Sequence, residues 1–176
     1  MKIILDDVFL RCPEPKDVEF LYEYRNNWEV IQGLGGFSSG YSRKDILDWI
    51  EFHRNKRDEI LWTIAKKNDD TCLGHVGYYK IDYRVRCAEF AIMLGNKECW
   101  GKGLGKRITY AVINYGFSEL NLHRVYLTVL KTNERAISLY EKLGFKIEGI
   151  HRDEQFRNGC YIDTIVMGIL ENEWSV

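Results

Sequence analysis

Hydrophobic positions along the chain switch several times between a spacing of two and a spacing of three to four residues. Each regime predicts an element. Ile3 to Arg11 reads as a strand, closed by the turn signals at Pro13 and Pro15. Asp17 to Asn26 reads as a helix with Val18, Leu21 and Tyr22 facing inward. Gln32 to Gly40, QGLGGFSSG, breaks all periodicity and reads as a mobile surface loop. Ser42 and Asp45 then resemble a capping box with Asp in place of Glu, ahead of a helix carrying Ile46, Trp49, Ile50 and His53. Three strands are predicted at Ile60 to Lys66, Thr71 to Ile81 and Arg86 to Leu94. The second carries Gly74 and Gly77, which suggest bends or a close approach.

Leu104, Ile108, Ala111, Val112 and Tyr115 mark a further helix, and the apolar run Arg124 to Leu130 suits a central strand. Asn133 is placed to cap a helix whose face holds Ala136, Leu139, Tyr140 and Leu143, and Gly144 to end it. Two closing strands, Phe145 to Ile150 and Tyr161 to Ile169, flank an Asn158-Gly159 turn. The order β-α-α-β-β-β-α-β-α-β-β predicts one α/β (α+β) domain over residues 1–176. Its sheet is mixed and mostly antiparallel, flanked by helices, with a strand-helix-strand crossover in the second half.

One stretch stands out against this pattern. Cys99 to Tyr115, CWGKGLGKRITYAVINY, sets glycines at 101, 103 and 105 among Lys102, Lys106 and Arg107 and runs straight into a helix. Glycines let backbone N–H groups approach a ligand, and a helix start adds unpaired donors and the positive end of its dipole. The stretch therefore reads as an anion cradle. It does not match a Walker A loop, because Trp100 stands at the first glycine position and Arg107 at the Ser/Thr position. Nor does it match a dinucleotide fingerprint, since its third glycine comes one residue early.

Composition narrows the setting. A formal charge of −1 on 176 residues gives no basic footprint for nucleic acid. No apolar run is long enough to span a membrane, and the N-terminal one is too short for a signal peptide. Five scattered cysteines, with no C-x-x-C spacing, fit free thiols in a reducing compartment, so a cytoplasmic setting is expected. His53, His75, His123 and His151 are too dispersed for metal ligands, so no metal is expected; His75, beside two strand glycines, is the one placed to meet a substrate.

Three features together resemble the GCN5-related N-acetyltransferase (GNAT) superfamily. They are the loop G-K-G-L-G between strand and helix, the segment NERAISLYEKLGF at 133–145, and the element order. The patterns AEFAIMLGNKECWGKG and HRDEQFRNGCYIDTIVMGIL further resemble the branch of ribosomal-protein N-terminal, spermidine/spermine and amino-sugar N-acetyltransferases. The resemblance implies acetyl-CoA as co-substrate, with its pyrophosphate on the segment Trp100, Gly101, Lys102, Gly103, Leu104, Gly105 and Lys106. It also implies contacts along the preceding strand at Ile92, Met93 and Leu94, an oxyanion donor at the N–H of Met93 or Leu94 on a splayed, bulged strand end, Asn133 at the pantetheine arm, and Tyr140 as a further cofactor-binding residue. Trp100 departs from the family pattern, where Gln or Arg is usual, and one extra residue sits between strand and loop.

The chemistry asks for a base, a stabilised oxyanion and a donor to the departing thiolate. Glu89, among the apolar neighbours of AEFAIML, is the candidate base, directly or through water; its other reading is an ion pair with Arg84 or Arg86. Tyr140 is the candidate acid, or a packing residue of its apolar helix face. Direct acetyl transfer to a primary amine follows. The partner implied is a small-molecule or peptide amine, with a homodimer left open. Family members acting on polyamines carry glutamates where this chain has GGFSSGYSRKD, so an amino sugar or a protein N-terminus is expected ahead of a polyamine. The rival from another class is a non-catalytic acetyl-CoA-sensing domain.

Overall fold

The computed structural model describes residues 3–35 and 39–174. The centre of the predicted surface loop, residues 36–38, lies outside the described residues. Eight strands form one sheet in the order β1-β2-β3-β4-β5-β6-β8-β7. Its first half holds β1 (Ile3–Ile4), β2 (Val8–Arg11), β3 (Ile60–Lys66), β4 (Cys72–Asp82) and β5 (Cys87–Leu94). Its second half holds β6 (Arg124–Leu130), β7 (Lys146–Arg157) and β8 (Cys160–Leu170). Among the described residues β5 and β6 pair in parallel and the other neighbours antiparallel.

Helices cover both faces. On one side α1 (Val18–Arg25), α2 (Trp28–Ile31) and α3 (Arg43–Arg54) enclose a core of Leu21, Val30, Ile46, Ile50, Cys72 and Met93. On the other, α4 (Leu104–Ser118) and α5 (Glu134–Lys142) bury Leu104, Ile108, Val112 and Tyr140 against Val76, Tyr78, Phe90 and Leu127. Strand alternation sorts the side chains. His75 lies opposite Met93, Gly77 opposite Ala91 and Tyr79 opposite Glu89 on the α1–α3 face, while Val76, Tyr78, Phe90 and Ile92 take the α4–α5 face.

Local chemistry accounts for the boundaries. Ser42 and Asp45 cap α3 reciprocally, the Asp45 N–H donating to Ser42 Oγ at 3.1 Å and the Ser42 N–H to Asp45 Oδ2 at 2.7 Å. Helix α5 ends at Gly144 (φ 92°), whose N–H donates to Glu141 O while that of Phe145 donates to Tyr140 O, a Schellman closure. Gly74 and Gly77 serve close approach. A Cβ would lie 1.9 Å from Met93 O at the first and 2.4 Å from Ile60 O at the second. Near the sheet edge Arg11 and Asp17 form a buried ion pair at 2.8 Å, and Thr63 Oγ1 donates to the same carboxylate, also at 2.8 Å.

Three expectations need correction. The single first strand divides at Asp6-Asp7 into a tight hairpin, with the Leu5 N–H donating to Val8 O at 2.9 Å. A short helix, α2, follows α1, with the Asn27 side chain accepting from the Glu29 N–H at 3.0 Å. The first closing strand, β7, runs on to Arg157 instead of ending at Ile150, because bulges after Ile147 and His151 absorb the polar residues that break alternation, while β8 starts at Cys160, close to its predicted start.

Candidate active site

The parallel pairing of β5 with β6 is short. It covers Cys87–Arg124, Ala88–Val125 and Glu89–Tyr126 only, and beyond Glu89 the two strands diverge. Their separation opens a cleft of about 850 Å³. Residues 89–94 of β5 form one wall, and Thr128, Val129 and Leu130 of β6 form the other. Gly105 and Thr109 of α4 and Ala136, Leu139 and Tyr140 of α5 reach it from one sheet face. Arg25, Tyr41 and His75 reach it from the opposite face, together with Glu154 of β7.

Most of the candidate residues meet here. Glu89, Ile92, Met93, Leu94, Trp100, Gly105, Asn133 and Tyr140 all line the cleft. The remainder of the glycine loop does not: Gly101, Lys102, Gly103 and Lys106 lie outside its lining, and the Leu104 side chain is turned into the core. The loop does have the geometry of an anion cradle. Gly101 and Gly103 adopt φ of 76° and 77°, and nothing stands within 4 Å of where their Cβ atoms would be. The first turn of α4 begins directly after Gly103, leaving its N–H groups for a ligand. Arg107, counted among the basic residues of this stretch, is committed elsewhere, bidentate to Asp7 at 2.8 and 2.9 Å.

The expected bulge at Met93 and Leu94 is not there. The register of β4 against β5 is continuous from Gly74–Leu94 to Tyr79–Glu89. Divergence of β6 frees the backbone instead. The Gly95 N–H donates to Leu73 O on the β4 side at 2.8 Å. Alternation therefore turns the Leu94 peptide groups towards the cleft. There the Leu94 carbonyl accepts from Trp100 Nε1 at 2.8 Å. Trp100 thus takes a polar role at the strand end, with the Arg135 guanidinium 5.9 Å from its ring centroid.

Tyr140 is buried between Phe90 and Phe145, with ring centroids 6.4 and 5.7 Å away, and burial pushes its phenol up to about 12. Glu89 pairs with neither Arg84 nor Arg86. Its carboxylate meets Lys80 Nζ at 2.7 Å, and Arg86 turns to Asn121. Asn133 uses both ends of its amide: Oδ1 accepts from the Ala136 N–H at 3.1 Å, capping α5, and Nδ2 donates to Gly33 O at 3.0 Å. Arg157 donates to the carbonyls of Ile31, Gln32 and Leu34. The described start of the predicted mobile loop is therefore fastened on two sides.

Three further groups at the cleft escaped the sequence reading. Arg25 is largely buried, 4.0 Å from the Trp49 ring centroid, with NH2 donating to His75 Nε2 at 3.3 Å. Since a guanidinium only donates, His75 carries its proton on Nδ1. Burial first, then the Arg25 and His53 charges, hold the His75 pKa well below the ordinary histidine value. Glu29 and Glu154 also face the cleft, the first paired with Lys97 at 2.6 Å and the second with His151 at 3.0 Å. Glu154 is presented by the bulge after His151, which no local sequence signal marks.

This layout, a sheet splayed between two parallel strands with a glycine-rich helix start beside it, defines an acyl-CoA-dependent transferase. A family model described as an acetyltransferase (GNAT) domain matches residues 7–146. The chain belongs to this family and is an N-acetyltransferase that uses acetyl-CoA. Among its relatives, the spermidine N(1)-acetyltransferase of Escherichia coli is 34% identical over 168 residues, covering 95% of this chain and 88% of that protein. The spermidine N(1)-acetyltransferase of Vibrio cholerae is 33% identical over 168 residues, covering 94% of each. The crystal structure of spermidine N-acetyltransferase from Vibrio cholerae in complex with CoA and spermine superposes with a TM-score of 0.84 at 30% identity, covering 95% of this chain and 97% of that one. Among the described residues no group of three or more His, Cys, Asp or Glu is placed to hold a metal ion.

Proposed function

We propose that this chain transfers the acetyl group of acetyl-CoA directly to a primary amine of a polyamine. Likeness to spermidine N-acetyltransferases along almost the whole chain is the observation that carries the acceptor. It outweighs the expectation of an amino sugar or a protein N-terminus. That expectation rested on a lack of carboxylates in one loop, whereas the folded cleft gathers Glu29, Glu89 and Glu154 from three other elements. A cation passing these groups gains from each, though every one already has a partner that it must share.

In this reading the pyrophosphate rests on backbone N–H groups of residues 101–106, and the pantetheine arm runs between β5 and β6. The thioester oxygen meets the freed N–H of Leu94. Glu89, on the sheet face turned towards α1 and α3, takes the ammonium proton from the acceptor side. Tyr140, on the α4–α5 side, donates to the departing sulfur. The placement of base and donor on opposite faces of one splayed sheet supports direct transfer within a ternary complex.

A second reading has a specific observation behind it. Arg25 Nε and His75 Nδ1 are buried without hydrogen-bond partners among the described residues, beside the acceptor half of the cleft. Two such donors suit an acceptor that carries carbonyl or hydroxyl oxygens, as a protein N-terminus or an amino sugar does. Values of kcat/KM measured for spermidine, an N-terminal peptide and glucosamine decide between them. The proposal expects spermidine to lead by at least about tenfold. Preference for the peptide or the sugar refutes it in favour of the second reading.

A further inference from the structure

Thr109 lies on α4 one turn beyond Gly105, on the same helix face. Gly105 sits against Leu94 of β5 and Leu139 of α5, where an added Cβ would lie 3.4 and 3.7 Å from their side chains. Thr109 therefore faces the same gap about 6 Å further along the helix axis, away from the glycine loop. It lines the cleft, is 0% exposed, and its Oγ1 has no hydrogen-bond partner among the described residues. Within a helix a threonine hydroxyl commonly satisfies itself on the carbonyl four residues back, and this one does not. A buried hydroxyl left unsatisfied is costly, and valine would fill the same volume without that cost.

We infer that Thr109 is a cofactor-binding residue whose hydroxyl hydrogen-bonds the pantetheine arm of acetyl-CoA. The arm is a chain of two amides, and a hydroxyl serves either end of an amide, donating to its carbonyl or accepting from its N–H. Position fixes the part of the ligand. The glycine loop and first turn of α4 lie on one side of Thr109 along the helix, and Tyr140 marks the reacting end of the same cleft. The segment between phosphate and thioester is the arm. This inference rests on the proposed course of the cofactor between β5 and β6.

Thr109→Val and Thr109→Ser, each in the full chain, test it through binding of CoA and of 3′,5′-ADP, a fragment that lacks the arm, by calorimetry, and through thermal unfolding without ligand. Thr109→Val is expected to weaken CoA about 3- to 10-fold, to leave 3′,5′-ADP unchanged and to unfold no lower than wild type. Thr109→Ser should recover most of the CoA affinity. Equal CoA binding by wild type and Thr109→Val overturns the inference. So does a loss that extends equally to 3′,5′-ADP, or one accompanied by a lower unfolding temperature, which is the mark of a packing residue. Failure of wild type to bind CoA at all would instead overturn the underlying course of the cofactor.

Discussion

Replacement of Tyr140 by phenylalanine separates two ways in which a phenol can assist thiolate departure. The ring would stay packed between Phe90 and Phe145, so the unfolding temperature should change by no more than about 3 °C. Burial pushes the phenol up to about 12. The departing CoA thiol, taken as cysteine-like, has a pKa of about 8.5. Full proton transfer from tyrosine to sulfur therefore runs uphill by roughly 5 kcal/mol. A charge-assisted hydrogen bond from the intact phenol is worth about 1.5–3 kcal/mol to the thiolate, or roughly 10- to 150-fold in rate. The assay is thiol release from acetyl-CoA with saturating amine from pH 6 to 10.5. A donor must be protonated, and a pKa raised to about 12 keeps it so throughout this range. Wild type should therefore rise with amine deprotonation and show no alkaline fall. Tyr140→Phe should run parallel and 10- to 150-fold lower, with CoA affinity little changed. A wild-type alkaline limb near pH 8–9 that vanishes in Tyr140→Phe would refute the hydrogen-bond account, and unchanged turnover would remove Tyr140 from the reaction.

Other parts of the molecule give independent tests. Asp17→Ala removes the bidentate partner of the buried Arg11 guanidinium but leaves its Nε on Asp70 at 2.7 Å, so it should cost about 1.5–3 kcal/mol in urea unfolding; a loss below about 0.5 kcal/mol would show the pair to be dispensable. His75 titrates in the unfolded chain near 6.5 but well below that when folded, so the unfolded state binds the extra proton as pH falls. Its contribution to stability is complete above about pH 6.5 and declines below it, by up to roughly 1.4 kcal/mol per pH unit. Between pH 7 and 5 wild type should thus lose more stability than His75→Gln, in which the carboxylate contribution is common and cancels; parallel curves would contradict this.

Much of the fold was legible because its elements carry their own punctuation. Ser42 and Asp45, Asn133 and Gly144, and Asn158-Gly159 each form a motif within a few residues of chain. The strand from Ile60 to Lys66 was bounded correctly for the same reason. The site divides differently. Gly105, Asn133 and Tyr140 sit in local motifs that a family resemblance can find. Arg25, Glu29 and Glu154 reach the cleft through a helix packing, a four-residue helix and a bulge, all set by contacts distant in sequence. The lack of glutamates in GGFSSGYSRKD says little about the acceptor, because the cleft collects carboxylates from elements distant along the chain. Trp100 and Glu89 do line the cleft, but their partners, the Leu94 carbonyl and Lys80, are fixed only by the tertiary fold.

The central claim, that this chain acetylates a polyamine from acetyl-CoA, is tested most directly by incubating the purified protein with acetyl-CoA and spermidine. Free thiol is followed while the amine product is identified by mass spectrometry. The account predicts stoichiometric thiol release and mono-acetylated spermidine, with both signals lost together when spermidine is omitted. CoA binding without turnover on spermidine or any other amine would contradict it and leave a sensing domain in place of an enzyme.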